Sequence, residues 1–382
     1  MFFKLVCLMT INRKQFSNAT SNKSNWKEAA NELSTQLNGT MGTLGVLYTS
    51  ENLSAFLEQM LHELKLNSGI TNWIAAGGYG TISSAGEFYG GDTSTALILD
   101  IPDSGFKLFS GGAQVGLKLL EKEKTWLEKA VMPLAIVHAD PRGSESLEAI
   151  ESLARETNSF LIGGLTVATG ENPHISTEKS ESISGVLISP ERVEILTGLS
   201  QGCTPISDAH TITKSELNII IEIDERPAFD VFMETIGKEF DDNLRRVAGL
   251  IFIAFPVVGS DTADYTVRNL VGLDPENKII AVSERVSVGD QLLFCRRDNK
   301  TAVTDMRRMT ENLKERVGDK SIRGGIYVSC AARGPNQFSA PERELDIIFN
   351  TLGDFPIAGF FANGEINRDK LYAYTGVLTL FV

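Results

Sequence analysis

A glutamate that follows a glycine recurs three times along the chain, at Glu87, Glu171 and Glu365. Each Gly-Glu step lies between two apolar segments. Carboxylates that converge in one pocket can hold an amino group or share a proton. The three glutamates are therefore candidates for contact with the cationic group of a ligand. The alternative interpretation is that they are solvated turn residues.

Arg333 lies in the segment Cys330-Ala-Ala-Arg-Gly-Pro335, directly after a predicted buried strand. A guanidinium group at such a place can bind a ligand carboxylate through two parallel hydrogen bonds. The competing interpretation is an internal ion pair between Arg333 and one of the three glutamates.

Glycine-containing turns follow three predicted strands, at Gly77-Gly78, Gly163-Gly164 and Gly359-Phe360. Glycine permits positive φ and close approach of a ligand, and unpaired backbone N–H groups can hold an anion. Tight strand exits without a ligand are the alternative. The complete candidate ligand-binding set is Gly77, Gly78, Tyr79, Glu87, Gly163, Gly164, Glu171, Arg333, Phe360, Asn363 and Glu365.

The familiar catalytic motifs are incomplete in this sequence. Ser83 stands where a dinucleotide-binding loop starting at Gly78 needs its third glycine, and no Gly-Lys-Ser/Thr phosphate-binding loop occurs. The segment Gly198-Leu-Ser-Gln-Gly202 matches the Gly-x-Ser-x-Gly pattern of a nucleophile elbow. A loop-like Cys-Thr-Pro segment follows it, however, where that motif requires a helix. With no assembled nucleophile, base or metal cluster, we predict that the protein is not an enzyme.

Composition and charge restrict the class of partner. The 382 residues are 42% hydrophobic, which is enough to build folded cores. Acidic residues number 49 and basic residues 36, and the net charge of −13 argues against nucleic acid or a membrane surface as partner. The four cysteines are scattered, and the apolar start Met1–Met9 is too short and interrupted for a signal peptide. We therefore predict a cytoplasmic location.

The apolar residues alternate between strand and helix periodicity. Trp26–Leu37 has helical spacing, whereas Ile70–Ala76, Val131–Val137 and Phe160–Gly164 are strand-like. This alternation, with glycine-rich turns at strand exits, predicts an α/β (mixed α+β) fold with mixed β-sheets. Residues 1–24 are predicted to form a flexible N-terminal tail.

Three segments of the chain resemble one another, namely Ala75–Leu99, Ile162–Ile188 and Ala358–Leu380. Each contains a buried strand, a glycine-rich turn, a Gly-Glu step and a second apolar strand. We predict a repeated supersecondary unit. Chance similarity between short glycine-containing segments is the alternative.

Over nearly its whole length the chain resembles the two-part FIST sensory module. Ala75–Glu87 is similar to part of the N-terminal FIST domain, and Gly325–Gly334 and Gly353–Glu365 are similar to parts of the C-terminal FIST domain. The resemblance implies two related α/β domains, over residues 25–212 and 213–382.

The resemblance also implies a function. FIST modules are described as cytoplasmic sensors that bind a small ligand, such as an amino acid, and signal to a partner such as a histidine kinase or a cyclase. On this interpretation Glu87 and Glu365 receive the amino group of the ligand and Arg333 its carboxylate. Binding changes the relative orientation of the two halves, and a separate protein reads that change.

A branch of the same family consists of haem proteins that sense nitric oxide and regulate histidine kinases. Haem is therefore the alternative to a protein without a cofactor. An axial histidine must face an apolar slot and offer a ring nitrogen to the iron. His62 lies on a polar helical face and His138 ends a buried strand, so His174 and His210, in predicted loops, are the candidates.

Overall fold

A computed structural model describes residues 16–167, 169–176, 181–237, 244–247, 249–257 and 264–382. The strands and helices form a body of three sheets, called here the three-sheet body, and a closed β-barrel. Each sheet of the body is built around one repeat of the chain. The fold class is mixed α+β, as predicted.

Units 1 and 2 follow one another along the chain and share the order strand, helix, strand, helical segment, strand, arm and strand. Unit 1 contains β1 (Ser17–Ser21), α1 (Trp26–Gln36), β2 (Leu44–Ser50), α2 (Glu51–Ser54), α3 (Leu57–Ser68), β3 (Asn72–Gly78), β4 (Gly80–Ser83), β5 (Gly86–Tyr89) and β6 (Ser94–Leu99). Unit 2 contains β7 (Phe106–Gly111), α4 (Val115–Ala130), β8 (Leu134–Ala139), α5 (Ser146–Thr157), β9 (Phe160–Leu165), β10 (His174–Ile175) and β11 (Ile183–Ile188).

Unit 3 is interrupted by the barrel. It begins with β12 (Ile195–Gln201). The barrel follows, with β13 (Cys203–Pro205), β14 (His210–Glu216), β15 (Ile219–Ile223), β16 (Arg226–Pro227), α6 (Ala228–Ile236), β17 (Ile251–Pro256), β18 (Tyr265–Asp274), β19 (Ile279–Val282) and β20 (Gln291–Arg297). Unit 3 then resumes with α7 (Asn299–Val317), β21 (Gly324–Cys330), α8 (Glu344–Leu352), β22 (Ile357–Ala362), β23 (Glu365–Asn367), β24 (Lys370–Tyr372) and β25 (Thr375–Phe381).

The helix ends have local causes in the sequence. The Asn25 side chain accepts hydrogen bonds from the backbone N–H groups of Lys27 and Glu28, which caps the start of α1. Helix α3 ends at Gly69, which adopts a φ of 72° and donates its N–H to the Lys65 carbonyl. A residue with a side chain would be disfavoured in that left-handed conformation.

Each unit places the same three strands at the centre of its sheet. The two inner strands run parallel, as β2–β3, β8–β9 and β21–β22, because a helix connects them. The last strand of the unit returns antiparallel to the first inner strand, as β6, β11 and β25 do. The predicted repeated unit is confirmed by this shared topology.

In each unit, the segment between the second inner strand and the last strand is called here the arm. The arm of each unit pairs with the sheet of another unit. Strands β4–β5 of unit 1 join the sheet of unit 3 through β22, and β23–β24 of unit 3 join the sheet of unit 2 through β9. Strand β10 of unit 2 joins the sheet of unit 1 through β3. The three units are therefore linked by a cyclic exchange of arms.

The inner faces of the three sheets share one apolar core. Val46 and Ile74 of unit 1, Ile136 of unit 2, and Val328 and Phe360 of unit 3 are all fully buried in it. Helices cover the outer faces, with α1 and α3 on the first sheet, α4 and α5 on the second, and α7 and α8 on the third. Strands covered on both faces are expected to be almost continuously apolar, as these are.

The barrel closes through six strands. The order is β14, β15, β19, β18, β17 and β20, and β20 pairs again with β14. Helix α6 packs Val231 and Phe232 into the barrel core. No barrel was predicted from the sequence.

Several predicted boundaries differ from the observed ones. Ser17–Ser21 is the edge strand β1, paired with β6, and not part of a tail, while residues 1–15 lie outside the described part of the chain. The predicted boundary between residues 212 and 213 falls inside β14. Because the arms are exchanged, strands from both predicted halves lie in the same sheets.

Candidate functional site

The glycines of the predicted pocket lie where two parts of the backbone approach closely. A side chain at Gly163 would overlap the Val137 carbonyl, and one at Gly78 would lie 2.9 Å from the Phe361 carbonyl. A side chain at Gly77 would meet Ser54, and at Gly164 it would lie 2.6 Å from the Ala362 Cβ atom. These glycines permit close packing of the backbone. This role agrees with the alternative given above, in which the turns are tight strand exits that bind no ligand.

Two further residues of the predicted set border these turns. Tyr79 is partly exposed and donates its backbone N–H to the Phe361 carbonyl, and Asn363 is exposed and donates its N–H to the Leu165 carbonyl. Phe360 is buried in the central core, with its ring 4.9 Å from that of Tyr48 and 5.9 Å from that of His138. None of the three lines the cleft described below.

The three repeated glutamates lie on different elements and in different surroundings. Glu365 is fully buried and accepts hydrogen bonds from the Thr375 backbone N–H and hydroxyl at 3.1 and 2.8 Å. Burial raises its pKa to about 8, against the hydrogen bonds from Thr375. Glu87 accepts from the Leu345 backbone N–H at the start of α8, whereas Glu171 is exposed.

The cyclic exchange of arms explains this separation. Glu365 lies in the second sheet, Glu87 in the third, and Glu171 in the connection that leads to β10 on the first. Burial, followed by the neighbouring Glu344 carboxylate, raises the pKa of Glu87 to about 7. Contact of these carboxylates with one ligand therefore stays a prediction.

Arg333 is held in a buried ion pair. Its Nε donates to Glu344 Oε1 at 2.9 Å, and both side chains are fully inaccessible to solvent. Its Nη1 and Nη2 groups donate to the Ser200 carbonyl and hydroxyl, each at 3.2 Å. The predicted role as a carboxylate clamp is wrong, and the internal ion pair was the better interpretation.

The carboxylate that pairs with Arg333 belongs to Glu344, which is not one of the three repeated glutamates. Glu344 also accepts hydrogen bonds from the Tyr327 hydroxyl at 2.5 Å and from the Ser329 hydroxyl. Burial disfavours the charged guanidinium, but the Glu344 carboxylate outweighs it and raises the pKa of Arg333. The sequence feature that could have pointed to Glu344 was an acidic residue at the first position of a predicted helix, where the helix dipole favours acidic side chains.

The two candidate haem ligands each have one ring nitrogen close to another side chain. His174 lies in β10 and is fully buried, with Nδ1 2.8 Å from the Ser184 hydroxyl, and burial lowers its pKa to about 4. His210 begins β14, and its Nδ1 lies 2.7 Å from Asp224 Oδ2 while its ring packs on Phe294. Haem binding through either histidine stays a prediction.

No group of three or more His, Cys, Asp or Glu side chains within the described ranges could hold a metal ion. Cys203, expected in a loop, is buried in β13, and burial raises the pKa of its thiol to about 12. Gly198 and Gly202 flank the end of β12, and no helix follows them, so the nucleophile-elbow interpretation is excluded.

A different site lies where the three-sheet body meets the barrel. A cleft of about 420 Å³ is bordered by β12, α7, the end of β23 and the residue that precedes β18. We call it the junction cleft. Its polar lining consists of Arg308, Asn312 and Arg316 on α7, Asn367 and Arg368 at the end of β23, and Asp264 before β18.

Local packing places α7 against the edge strand β12. A side chain at Gly198 would lie 2.7 Å from Met309 Sδ and 2.9 Å from Leu313, so glycine allows the helix to lie close to the strand. The stripe of α7 next to this packed face carries Arg308, Asn312 and Arg316 at intervals of four residues. Residues at this spacing lie on one side of a helix, which is how they come to line one cleft.

The residues that line the junction cleft were not predicted as a site from the sequence. The signal was the polar stripe that α7 carries beside its apolar stripe, but a polar stripe is also typical of any solvated helix face. The other walls come from Phe160, Asp264 and Arg368, which are remote in sequence.

The comparisons with known proteins agree with this architecture. The FIST N domain matches residues 43–226, and the FIST C domain matches residues 228–368. The chain belongs to the FIST family. FIST domains are sensory domains in signal transduction, so the family suggests a non-catalytic signalling role.

The FIST match divides the chain at residue 227, within β16 of the barrel. Uncharacterised proteins of Mycobacterium bovis and Mycobacterium tuberculosis are each 31% identical over 192 residues, which are 48% of this chain and 50% of each relative. A second uncharacterised protein of Mycobacterium tuberculosis is 30% identical over the same length. The chain thus spans about half the length of the curated relatives it matches.

Among the helices of the described ranges, none has the length and apolarity needed to cross a membrane.

Proposed function

We propose that this FIST protein is a ligand-responsive sensor that binds a small molecule in the junction cleft. The observation that supports the proposal is the position of the cleft, because the barrel and the three-sheet body both border it. A ligand that contacts both parts favours the arrangement in which both sets of contacts form. Binding therefore biases the position of the barrel relative to the body.

Contacts beside the cleft would transmit such a bias. The Gln201 side chain on β12 donates to the Tyr265 carbonyl on β18 at 3.0 Å. The Tyr374 hydroxyl, next to β25, donates to Asn269 Oδ1 on β18 at 2.8 Å, and its ring lies 4.6 Å from that of Phe252. Strand β18 thus follows directly after the cleft residue Asp264 and carries two of the hydrogen bonds between the barrel and the body.

The size of the cleft suits a metabolite. Its volume of about 420 Å³ lies within the range of roughly 300–1,000 Å³ that small-molecule sites occupy. In this proposal the ligand is a small polar compound such as an amino acid, and the protein acts in the cytoplasm. A separate signalling protein, such as a histidine kinase or a cyclase, reads the bound state.

A thermal-shift screen of amino acids and other polar metabolites tests the site. Asn312→Trp fills the cleft from α7, and Glu311→Trp places the same side chain on the adjacent exposed position outside the cleft. We expect at least one compound to raise the melting temperature of the wild type and of Glu311→Trp but not of Asn312→Trp. A compound that stabilises all three proteins equally, or a screen without any stabilising compound, contradicts the proposal.

A further inference from the structure

We infer that the ligand of the junction cleft is a small anion that carries a carboxylate or phosphate group. This inference rests on the proposed function and narrows it from polar metabolites in general to compounds with net negative charge. It follows from the charges, the hydrogen-bonding groups and the anchoring of the side chains around the cleft.

Cations are concentrated at this place against the sign of the whole molecule. The chain has a net charge of −13, yet the junction cleft is lined by Arg308, Arg316 and Arg368 and by one acid, Asp264. Arginine offers hydrogen-bond donors in a planar fork that matches the oxygens of carboxylate and phosphate. An anion in the cleft can therefore meet guanidinium groups from two walls, α7 and the end of β23.

The arginines of the cleft are held by contacts with the protein, and Arg368 lies over the ring of Phe160 at 5.9 Å from its centroid. Arg308 Nε donates to Asp305 Oδ1 at 2.7 Å, and Asp305 Oδ2 in turn accepts from the Gln201 backbone N–H at 2.7 Å. Arg316 Nη1 donates to the Thr197 carbonyl at 2.8 Å. Since a side chain held in place loses less conformational entropy on binding, this anchoring favours a defined site over diffuse attraction.

Neutral amide groups complete the polar lining. Asn312 is exposed between the two arginines of α7, and Asn367, only 5% exposed, lies at the end of β23. An amide group can donate to an oxyanion without adding charge. The acidic surface elsewhere disfavours extended polyanions, and the cleft is too small for them, so the inference concerns compact anions.

Calorimetric titration of the full chain at low ionic strength tests this inference, with inorganic phosphate, succinate and L-serine as probes. Phosphate and succinate represent the two sources of an oxyanion, and L-serine is a polar compound without net charge. The variants are Arg308→Gln, Arg316→Gln and Arg316→Lys. Arg307→Gln is the matched control, because Arg307 is the adjacent exposed arginine of α7, is paired with Glu342 and lies outside the cleft.

We expect phosphate or succinate to bind the wild type, and the preferred one identifies the chemical group. Arg308→Gln and Arg316→Gln should each weaken that binding about tenfold or more, since each removes a charged hydrogen bond. Arg307→Gln should change it less than about twofold, Arg316→Lys should restore part of it, and added salt should weaken it.

The opposite outcomes separate the two proposals. Binding of L-serine that Asn312→Trp abolishes and the arginine variants leave unchanged would overturn the anion inference and leave the sensor proposal standing. Anion binding that Arg307→Gln weakens as much as Arg308→Gln would show attraction to the helix surface only, which overturns the inference. If no probe binds and the metabolite screen finds no cleft ligand, both proposals fail.

Discussion

At the residue scale, burial separates glutamates that look alike in the sequence. Glu365 and Glu171 both follow a glycine at the same point of a repeat, yet Glu365 is fully buried and Glu171 is exposed. The buried carboxyl has its pKa raised from 4.5 to about 8 because burial penalises its charged form. A folded state that holds this proton more tightly than the unfolded chain makes stability depend on pH.

We predict that Glu365→Gln removes a pH-dependent loss of stability. Between about pH 4.5 and 8 the folded state retains the Glu365 proton that the unfolded chain has lost, so wild-type stability falls as pH rises and levels off above 8. Across that window the free energy of unfolding of the variant should come to exceed that of the wild type by a few kcal/mol. Denaturant unfolding at several pH values measures the difference, and Glu171→Gln, which should show no such gain, is the control.

A second residue-scale prediction concerns the buried pair of Arg333 and Glu344. Arg333→Met leaves a buried carboxylate without its cation and should destabilise the fold by about 3–5 kcal/mol, measured by chemical denaturation. The double variant Arg333→Met/Glu344→Leu should be more stable than Arg333→Met. At the exposed pair of Arg307 and Glu342, Arg307→Met should change stability by less than about 1 kcal/mol. Equal effects at the two arginines would rule out this account of Arg333.

At the element scale, the glycines of the predicted pocket act through strand packing. Gly163 in β9 has a φ of 139°, and any side chain there would overlap the Val137 carbonyl of the neighbouring strand β8. We predict that Gly163→Ala destabilises the protein by well over 1 kcal/mol, as seen in its melting temperature. Gly91→Ala is the control, since a side chain there meets no atom within 4 Å. A Gly163→Ala protein as stable as the control would contradict this packing role.

The sequence predicted the strands and helices of the units better than their arrangement. The apolar periodicity of Trp26–Leu37 and the continuous apolar run of β8 reflect burial of whole faces, which local pattern reports directly. The exchange of arms depends on which sheet edge each arm meets, and no local pattern of β4 or β23 encodes that. The barrel was missed because strands such as β18 are buried at one end and half-buried at the other, so the alternation of apolar and polar residues along them is weak.

The candidate site was predicted less well than the fold, for a similar reason. Glu87, Glu171 and Glu365 were grouped because they repeat in sequence, but Glu365 lies in the second sheet, Glu87 in the third, and Glu171 in the connection that leads to β10. The junction cleft combines Phe160, Arg308 and Arg368, which are far apart along the chain and belong to different elements. Its recognition required the three-dimensional arrangement of the units and the barrel.

At the scale of the whole molecule, the barrel is an insertion with adjacent ends. Cys203 at its entry pairs with Arg297 at its exit as antiparallel neighbours, so their Cα atoms lie about 5 Å apart. We predict that replacing residues 203–297 by a short Gly-Ser linker leaves a folded three-sheet body, with reduced stability because the contact between Tyr374 and Phe252 is lost.

Circular dichroism and cooperative thermal unfolding of the shortened chain test this prediction. A matched deletion that removes β23 and β24 takes away an exchanged arm and should prevent cooperative folding. A shortened chain without cooperative unfolding would show that the body depends on the barrel, which contradicts the prediction. The same shortened chain should also lose the ligand response, because it lacks the barrel wall of the junction cleft.

The exchange of arms has a consequence for how the chain is made. The free edge of β9, which ends at Leu165, is covered by β23, which ends at Asn367. At a synthesis rate of about 5–20 residues per second, the ribosome adds the intervening residues, about 200 of them, in roughly 10–40 s. During this interval unit 2 has an unpaired strand edge and an uncovered inner face, which favour association with other chains. We therefore expect nascent or prematurely terminated chains to depend on chaperones until the C-terminal strands have left the ribosome.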